Sequence, residues 1–568
     1  MAQDTCAKVG ATNTKKVVLM SAPITVFVAK AIRTMNVNMP LATHVAVREG
    51  RVLGVGTLEE LAQWGPYTLD ETFRDKVLMP GFVEAHSHAM EGGVWDNAFL
   101  GYFERTDPEG AMAGGYKSVG AVIDALKSMD AAMADPAEPL VCWGYDPIYY
   151  DNQRMVAADL DAVSATRPIM IQHASGHLIN VNSALMKLAG ITRATNVEGV
   201  MKGPDGEPTG ELQEMAAMFI ARKAIGADML GATDARALNR YAAAAGNAGV
   251  TTAVDLGNPL TDAGIATLEA ETEKDEFHLR VVTAMWSAAH SLEDGLKRAA
   301  MLREKGNAKW YPHLVKVMTD GSIQGFTGRL KWPGYFNGAP NGIWNAPPEQ
   351  LRESIIAYHK SGAQVHVHVN GDQASELAID AFEQALKEAP RADHRHTLQH
   401  CQMANDEQFR RMKILGLCAN LFANHLYYWG DQHYALTMGP DRANRMDACG
   451  TALRHGVPLA IHSDVPVTPL APLFTAWCAV TRLTATGRVL GEAEKITVEQ
   501  ALYAITMGAA FQLNVDHLVG SIEIGKYADF AVLEQDPFAV EPLALKDVPV
   551  WGTVVAGIPR QSAKSQRA

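Results

Sequence analysis

The chain has 568 residues, 48% of them hydrophobic and 20% charged, with a formal net charge of −13. This is a soluble globular composition, with apolar residues enough for one large domain and a smaller one. The acidic balance, with no basic stripe interleaved with aromatics, excludes an electrostatic footprint for nucleic acid or an anionic membrane, so the expected partners are small molecules and copies of the chain itself.

The apolar stretch VVLMSAPITVFVAKA, after Lys15 and Lys16, imitates a signal peptide with small residues at Ala29 and Ala31. It reads instead as a strand running into AIRTMN and followed by the alternating HVAVREGRVLGVG, so cleavage there would remove part of a β-domain. The first eighty residues are short strands punctuated by Gly, Pro and Asn, ending in DKVLMPGFVEAHSH. Beyond them, eight short apolar strands are expected: GFVEAHSH, GVTTAVDLG, FHLRVVTAMW, PHLVKVMTDGS, GAQVHVHVNGD, HRHTLQHCQ, LCANLFANH and GVPLAIHSD. Helix-like stretches such as TLEAETEKDEF, QASELAIDAFEQALKEA and DEQFRRMKILG separate most of them. Eight such units predict an α/β fold, a (β/α)8 TIM barrel over residues 81–513 with its chemistry at the C-terminal ends of the strands.

The gap between the first two barrel strands is too long for an ordinary crossover and predicts an inserted subdomain or lid, about residues 95–240, over the pocket. After Gln512 strand and turn character returns in LVGSIEIGKYADFAVLEQDPF and VWGTVVAG. Residues 1–80 and 514–568 are therefore expected to form one small composite β-sandwich domain. The polar tail IPRQSAKSQRA is expected to be disordered. No run after the N-terminal stretch is long and charge-free enough to span a bilayer. The six cysteines, Cys6, Cys142, Cys401, Cys418, Cys449 and Cys478, form no CxxC pair, which suits reduced thiols in a cytoplasmic enzyme.

Metal-binding side chains recur at the predicted strand ends: His86, His88, Lys316, His368, His400 and Asp464. Alternate strand residues share a face, so His86 and His88 can offer both imidazoles to one ion. Imidazole, lysine and carboxylate in this order can build a two-metal centre. A lysine buried between two cations cannot remain an ammonium; the other reading of Lys316 is a surface lysine whose stem packs on the sheet. His366 and His368 face one way, so spacing does not choose between them. Asp464 can bind metal and accept the proton of an attacking water, or cap a turn before Pro466.

PGFVEAHSH, the strand lysine in VKVMTDGS, HVNGD, QH, HSDVPV and the closing GSIEIGKYADFAVLEQDP resemble the metal-dependent amidohydrolase superfamily. TGELQE, GHLINVNSALMKLAGI and VKVMTDGSIQGFTGRL resemble the branch that includes N-substituted formamide deformylase. The resemblance spans nearly the whole chain. It implies two divalent ions, zinc before manganese, iron or cobalt, bridged by Lys316 carboxylated by carbon dioxide. It selects His368 as the ligand, with His366 one layer deeper, and implies a homodimer. Two residues depart from the family pattern: Gln399 stands where an acid is common, and His462 where glycine is usual.

The activity implied is cleavage of a linear carbon–nitrogen amide bond, in an N-substituted formamide, N-acyl amine or aryl amide, by metal-activated hydroxide. Asp464 would then move the proton to the leaving nitrogen. A cyclic-amide hydrolase, a mononuclear deaminase and a catalytically silent binding protein are the alternatives. Candidate substrate contacts are His173, His177, Asn182, Glu214, Asp320, Arg329 and Asn424. Aromatics in CWGYDPIYYDN, around Phe326, Trp332 and Tyr335, and in HLYYWGDQHY suggest a bulky apolar or aromatic substrate.

Overall fold

The computed structural model describes residues 22–89, 91–227 and 234–563. Cys6, Lys15, Lys16 and the start of the apolar stretch lie outside the described residues, as do residues 564–568 of the polar tail.

The centre is a sheet of eight parallel strands: β1 (Phe82–Ser87), β2 (Val250–Asn258), β3 (Arg280–Trp286), β4 (Trp310–Met318), β5 (Gln364–Val369), β6 (Thr397–His400), β7 (Cys418–Leu421) and β8 (Leu459–Ile461). Each pairs with the next in chain order, and a bridge between Ser87 and Val465 brings the last beside the first. The sheet is thus a nearly closed barrel, built from the eight strands expected. Strand β5 shows why such strands read as apolar runs: all six residues of QVHVHV are buried, because parallel barrel strands are covered on both faces.

Outside, helix α1 (Asp372–Glu388) turns Leu377, Ala378, Ala381, Phe382 and Ala385 inward at three- and four-residue spacing. Helix α2 (Asp406–Leu415) starts at Asn405, which forms a capping box with Gln408, and stops at Gly416 in the left-handed region. The helix expected over TLEAETEKDEF runs Asp262–Thr272, so the charged second half is turn. Inside the barrel, small residues such as Ala85, Ala284 and Ala460 pack with Val254, Leu256 and Leu314. The helix Met507–Gln512 packs there too, and the Gln512 amide donates to the Ala419 carbonyl at 2.7 Å. That plug leaves the opposite, C-terminal end as the open mouth.

The two chain ends meet in one mixed seven-stranded sheet. Tyr67–Pro80 pairs in parallel with Ile24–Arg33 and antiparallel with Phe530–Leu533, then passes through Gly81 directly into β1. The sheet folds over an apolar face that includes Phe27, Phe73, Phe530 and Val554. Contrary to the expected disorder, Ile558–Gln561 forms its edge strand on Val550–Val555. An edge tolerates exposed side chains and Pro559, because one side of the backbone is unpaired.

Between β1 and β2 the chain builds a third, six-stranded sheet from Ala98–Phe99, Leu140–Tyr145, Ile169–His173, Leu178–Val181, Val200–Lys202 and Pro208–Gln213. It covers the barrel mouth. Among the described residues no helix is long and apolar enough to cross a membrane, and the five described cysteines are buried free thiols.

Candidate active site

Strand geometry sets the site. His86 and His88, two residues apart at the end of β1, both line the pocket at the barrel mouth. His86 and His88 point Nε2 at one oxygen of Asp464, at 3.3 and 3.4 Å, and His400 Nδ1 lies 3.8 Å from the other. Three residues near the site hold left-handed backbone that non-glycine residues rarely adopt: His400 (φ 70°), Asp464 (φ 54°) and Glu214 (φ 61°). The turn at Asp464 is held by its own N–H donating to the His86 carbonyl at 3.1 Å.

Glu84, not singled out from the sequence, ties the first strand to the last. Its carboxylate accepts from the Ser463 N–H at 3.1 Å and the Ser463 hydroxyl at 3.0 Å, and burial pushes its pKa up to about 8. Gln399 takes the place of the usual acid. Its Oε1 accepts from His86 Nδ1 at 2.7 Å and from Asn420 Nδ2 at 2.8 Å, while its Nε2 donates to His366 Nδ1 at 2.7 Å. The proton of His86 is thereby kept on Nδ1 and the lone pair of Nε2 is aimed at the site, which is how a metal ligand is oriented. His366 is fully buried, with Gln364 and Gln399 as neighbours, one layer below His368.

Lys316 is 2% exposed and its Nζ has no hydrogen-bond partner. Burial lowers its pKa to about 7, against the attraction of Asp464. Asp464 behaves oppositely: burial would raise its pKa, but the His88 hydrogen bond and the charges of His88, His462 and Lys316 bring it below the usual carboxylate value. Burial holds His86, His368 and His400 well below the ordinary imidazole value, so they are neutral and carry lone pairs. Gly257 adopts φ 126°, which favours glycine, whereas a Cβ there would make only ordinary contacts with His88 and Lys316, at 3.8 and 4.0 Å.

Ligand atoms of His86, His88 and Asp464 lie within 4.8 Å of one another, as do those of His86, His400 and His462. Neutral imidazoles and a carboxylate, converging with buried nitrogens that lack partners, fit a divalent cation. His368 and Lys316 line the same cavity but belong to neither group. His368 Nε2 instead approaches the Gly321 carbonyl at 3.4 Å and Asn370 Nδ2 at 3.1 Å.

The facing wall comes from the inserted sheet and includes Trp143, Gln172, His177, Met215 and Arg222. His177 Nδ1 donates to Glu214 at 2.9 Å, and its ring lies 5.1 Å from that of His368. Burial disfavours its charged form, but the Glu214 carboxylate more than compensates and raises its pKa. Of the seven candidate substrate contacts, His177 lines the cavity with Glu214 behind it.

The other five do not line this cavity, and their side chains hydrogen-bond elsewhere. Asn182 caps the helix Ser183–Ala189, and His173 bonds to Asn180. Asp320 accepts three backbone N–H groups, from Arg329, Asn370 and Gly371, and burial pushes its pKa up to about 7. Arg329 donates to the Gly342 carbonyl at 2.8 Å, and Asn424 to Thr468 at 2.9 Å.

A cleft lined by Phe99, Tyr102, Phe103, Tyr149, Tyr428 and Trp429 adjoins the cavity, sharing Trp143, Ala174 and Val467 with it. The aromatics around Phe326 do not contribute to it: Tyr335 is buried against Phe326 and Trp332 is 94% exposed.

A family model described as Amidohydrolase family matches residues 74–560. Protein LONG AFTER FAR-RED 3 of Arabidopsis thaliana is 28% identical over 526 residues, which cover 88% of this chain and 85% of that protein. N-substituted formamide deformylase of Arthrobacter pascens is 24% identical over 558 residues, covering 93% and 96%. Among solved structures, an uncharacterized metal-dependent hydrolase from Pyrococcus horikoshii OT3 superposes with a TM-score of 0.69 at 19% identity, over 91% of this chain and 99% of that one. This last likeness is one of fold.

Proposed function

The chain belongs to the amidohydrolase family, and on that premise we propose that it hydrolyses a linear carbon–nitrogen amide bond, in an N-substituted formamide, N-acyl amine or aryl amide. The ligands would be His86, His88, Lys316, His368, His400 and Asp464, holding two divalent ions, zinc first by donor type. The observation that carries the reading is the pair of imidazole nitrogens converging on one Asp464 oxygen at the mouth of the barrel. The linear amide is taken from the name of the formamide deformylase relative. The aromatic cleft beside the cavity supports an aryl or bulky apolar substituent.

A pKa of about 7 leaves much of Lys316 as free amine at neutral pH. Its lone pair can add to carbon dioxide, forming an N–C bond and releasing one proton, so a partnerless buried amine becomes a carbamate anion among imidazoles. When bound, the ions supply Lewis-acid polarisation of the carbonyl and a lowered water pKa. Asp464, kept ionised, takes the proton of the attacking water on a carboxylate oxygen and returns it to the leaving nitrogen. His177, fixed by Glu214, offers its remaining ring N–H to the substrate from the opposite wall.

A second reading, one ion with Lys316 unmodified in a deaminase or cyclic-amide hydrolase, is favoured by the single-ion size of each group of converging ligand atoms. The five described cysteines, buried and unpaired, suit a reducing cytoplasm, and a homodimer follows from the resemblance alone. The test is a panel of aryl-substituted formamides, N-acyl amines, anilides and cyclic amides given to metal-replete protein. Intact native mass is measured beside it for wild type and Lys316→Ala. Amine release from linear amides is expected, with one carbon dioxide adduct that is lost in the variant. Ring opening or deamination without an adduct would favour the second reading, and no turnover of any kind would leave a silent binding protein.

A further inference from the structure

His462 has no part in the ligand set above, yet its surroundings are those of a ligand. It follows β8 directly and is fully buried, and neither Nδ1 nor Nε2 has a hydrogen-bond partner. Its ring is clamped: it stacks on His86 (centroids 4.6 Å, planes 23° apart) and on Phe422 (4.9 Å, 19°), and meets His400 edge-on at 5.1 Å. Ring nitrogens of His86, His400 and His462 lie within 4.8 Å of one another. His400 Nδ1 is likewise without a hydrogen-bond partner.

An imidazole that merely filled space would leave two strongly polar atoms bare in the interior, which is unfavourable unless something binds them. Neither His88 nor Asp464 belongs to this inner group, whereas His86 belongs to both groups. Gln399 engages His86 through Nδ1, so only Nε2 of that ring remains for an ion.

We propose that His462 is an additional ligand of the metal centre, binding through a ring nitrogen the same ion that takes Nε2 of His86, with His400 as their third imidazole. The inference rests on the metal-centre reading above and deepens it: the ion at His86 gains an inner imidazole beneath the group that faces the substrate. Such an ion would be held more tightly, and would exchange more slowly, than one bound only by the residues facing the pocket.

The experiment uses zinc-loaded full-length protein. Anomalous diffraction at the zinc edge is expected to place a peak within bonding distance of a His462 nitrogen, about 2.0–2.1 Å for zinc–imidazole. In parallel, chelator competition measures zinc affinity in wild type, His462→Gly and His462→Phe, the last keeping the stack on Phe422 without a ligand atom. Both variants are expected to weaken zinc binding at least about tenfold. A peak bonded to His86 but well beyond bonding distance of His462 would overturn the inference and leave the metal centre standing. The absence of any peak at the strand ends would remove both. If the variants fail to fold, the wild-type diffraction decides by itself.

Discussion

The two walls of the pocket are built on different principles. The barrel wall collects His86, His88, Lys316, His368, His400 and Asp464 from strand ends scattered along nearly the whole chain, aimed by the two-residue period of the strands and, at His400 and Asp464, by left-handed backbone at the strand end and in the turn beyond it. The facing wall comes from the inserted sheet and loops, where His177 meets Glu214 only because Leu178–Val181 pairs with Pro208–Gln213. The difference is a division of labour in construction: the barrel frame fixes the converging imidazoles and carboxylate, and the added layer supplies the wall that faces them.

Substitutions can break or sharpen that division. Asp464→Asn should give the largest effect, a fall in kcat of about 10³-fold, as removal of a positioned general base does. On the opposite wall, His177→Gln and Glu214→Gln should each lower kcat/KM by about 10²-fold, the scale of one lost oriented donor, with metal content unchanged. Loss of metal in either would place His177 on the metal-binding side and erase the contrast. Gln399→Leu should leave His86 without its orienting acceptor and weaken metal binding about 10- to 100-fold, seen by chelator competition.

The smallest effect on activity concerns pH and the inserted sheet. Burial lowers the pKa of His173 to about 4. Above pH 6.5 neither the folded nor the unfolded chain protonates it. Between about 6.5 and 4 only the unfolded chain takes the proton, so stability falls as pH falls. His173→Asn should remove a part of that acid loss on the order of 1–3 kcal/mol, measured as the difference in denaturant midpoints between pH 7 and 5.

The same contrast explains what was legible in the sequence. The eight strands declared themselves because parallel barrel strands are buried on both faces and read as apolar runs, and the His-x-His at the end of the first needs only local periodicity. Glu84 carried a local signal, a carboxylate inside a strand buried along its whole length, that went unused. The pairing of His177 with Glu214 has no local signal, since the two are 37 residues apart. Asp320 and Asn182 resemble pocket residues in type, yet backbone N–H groups claim their side chains, because turns and helix starts need such acceptors. His462 stood out as a departure from the family pattern, but only the approach of β1 and β6 to β8 gives it neighbours. At Ile558–Gln561 a polar, proline-containing segment is ordered by its ladder, which composition cannot reveal.

If the strand-end cluster is a metal centre that drives hydrolysis, activity must follow the metal. Elemental analysis of protein expressed in metal-replete medium, paired with amide hydrolysis before chelation, after it and after zinc is restored, tests that most directly. Two divalent ions per chain are expected, with a turnover that disappears and returns with them. Amide hydrolysis by protein that contains no metal, or full activity in His86→Ala, would contradict it.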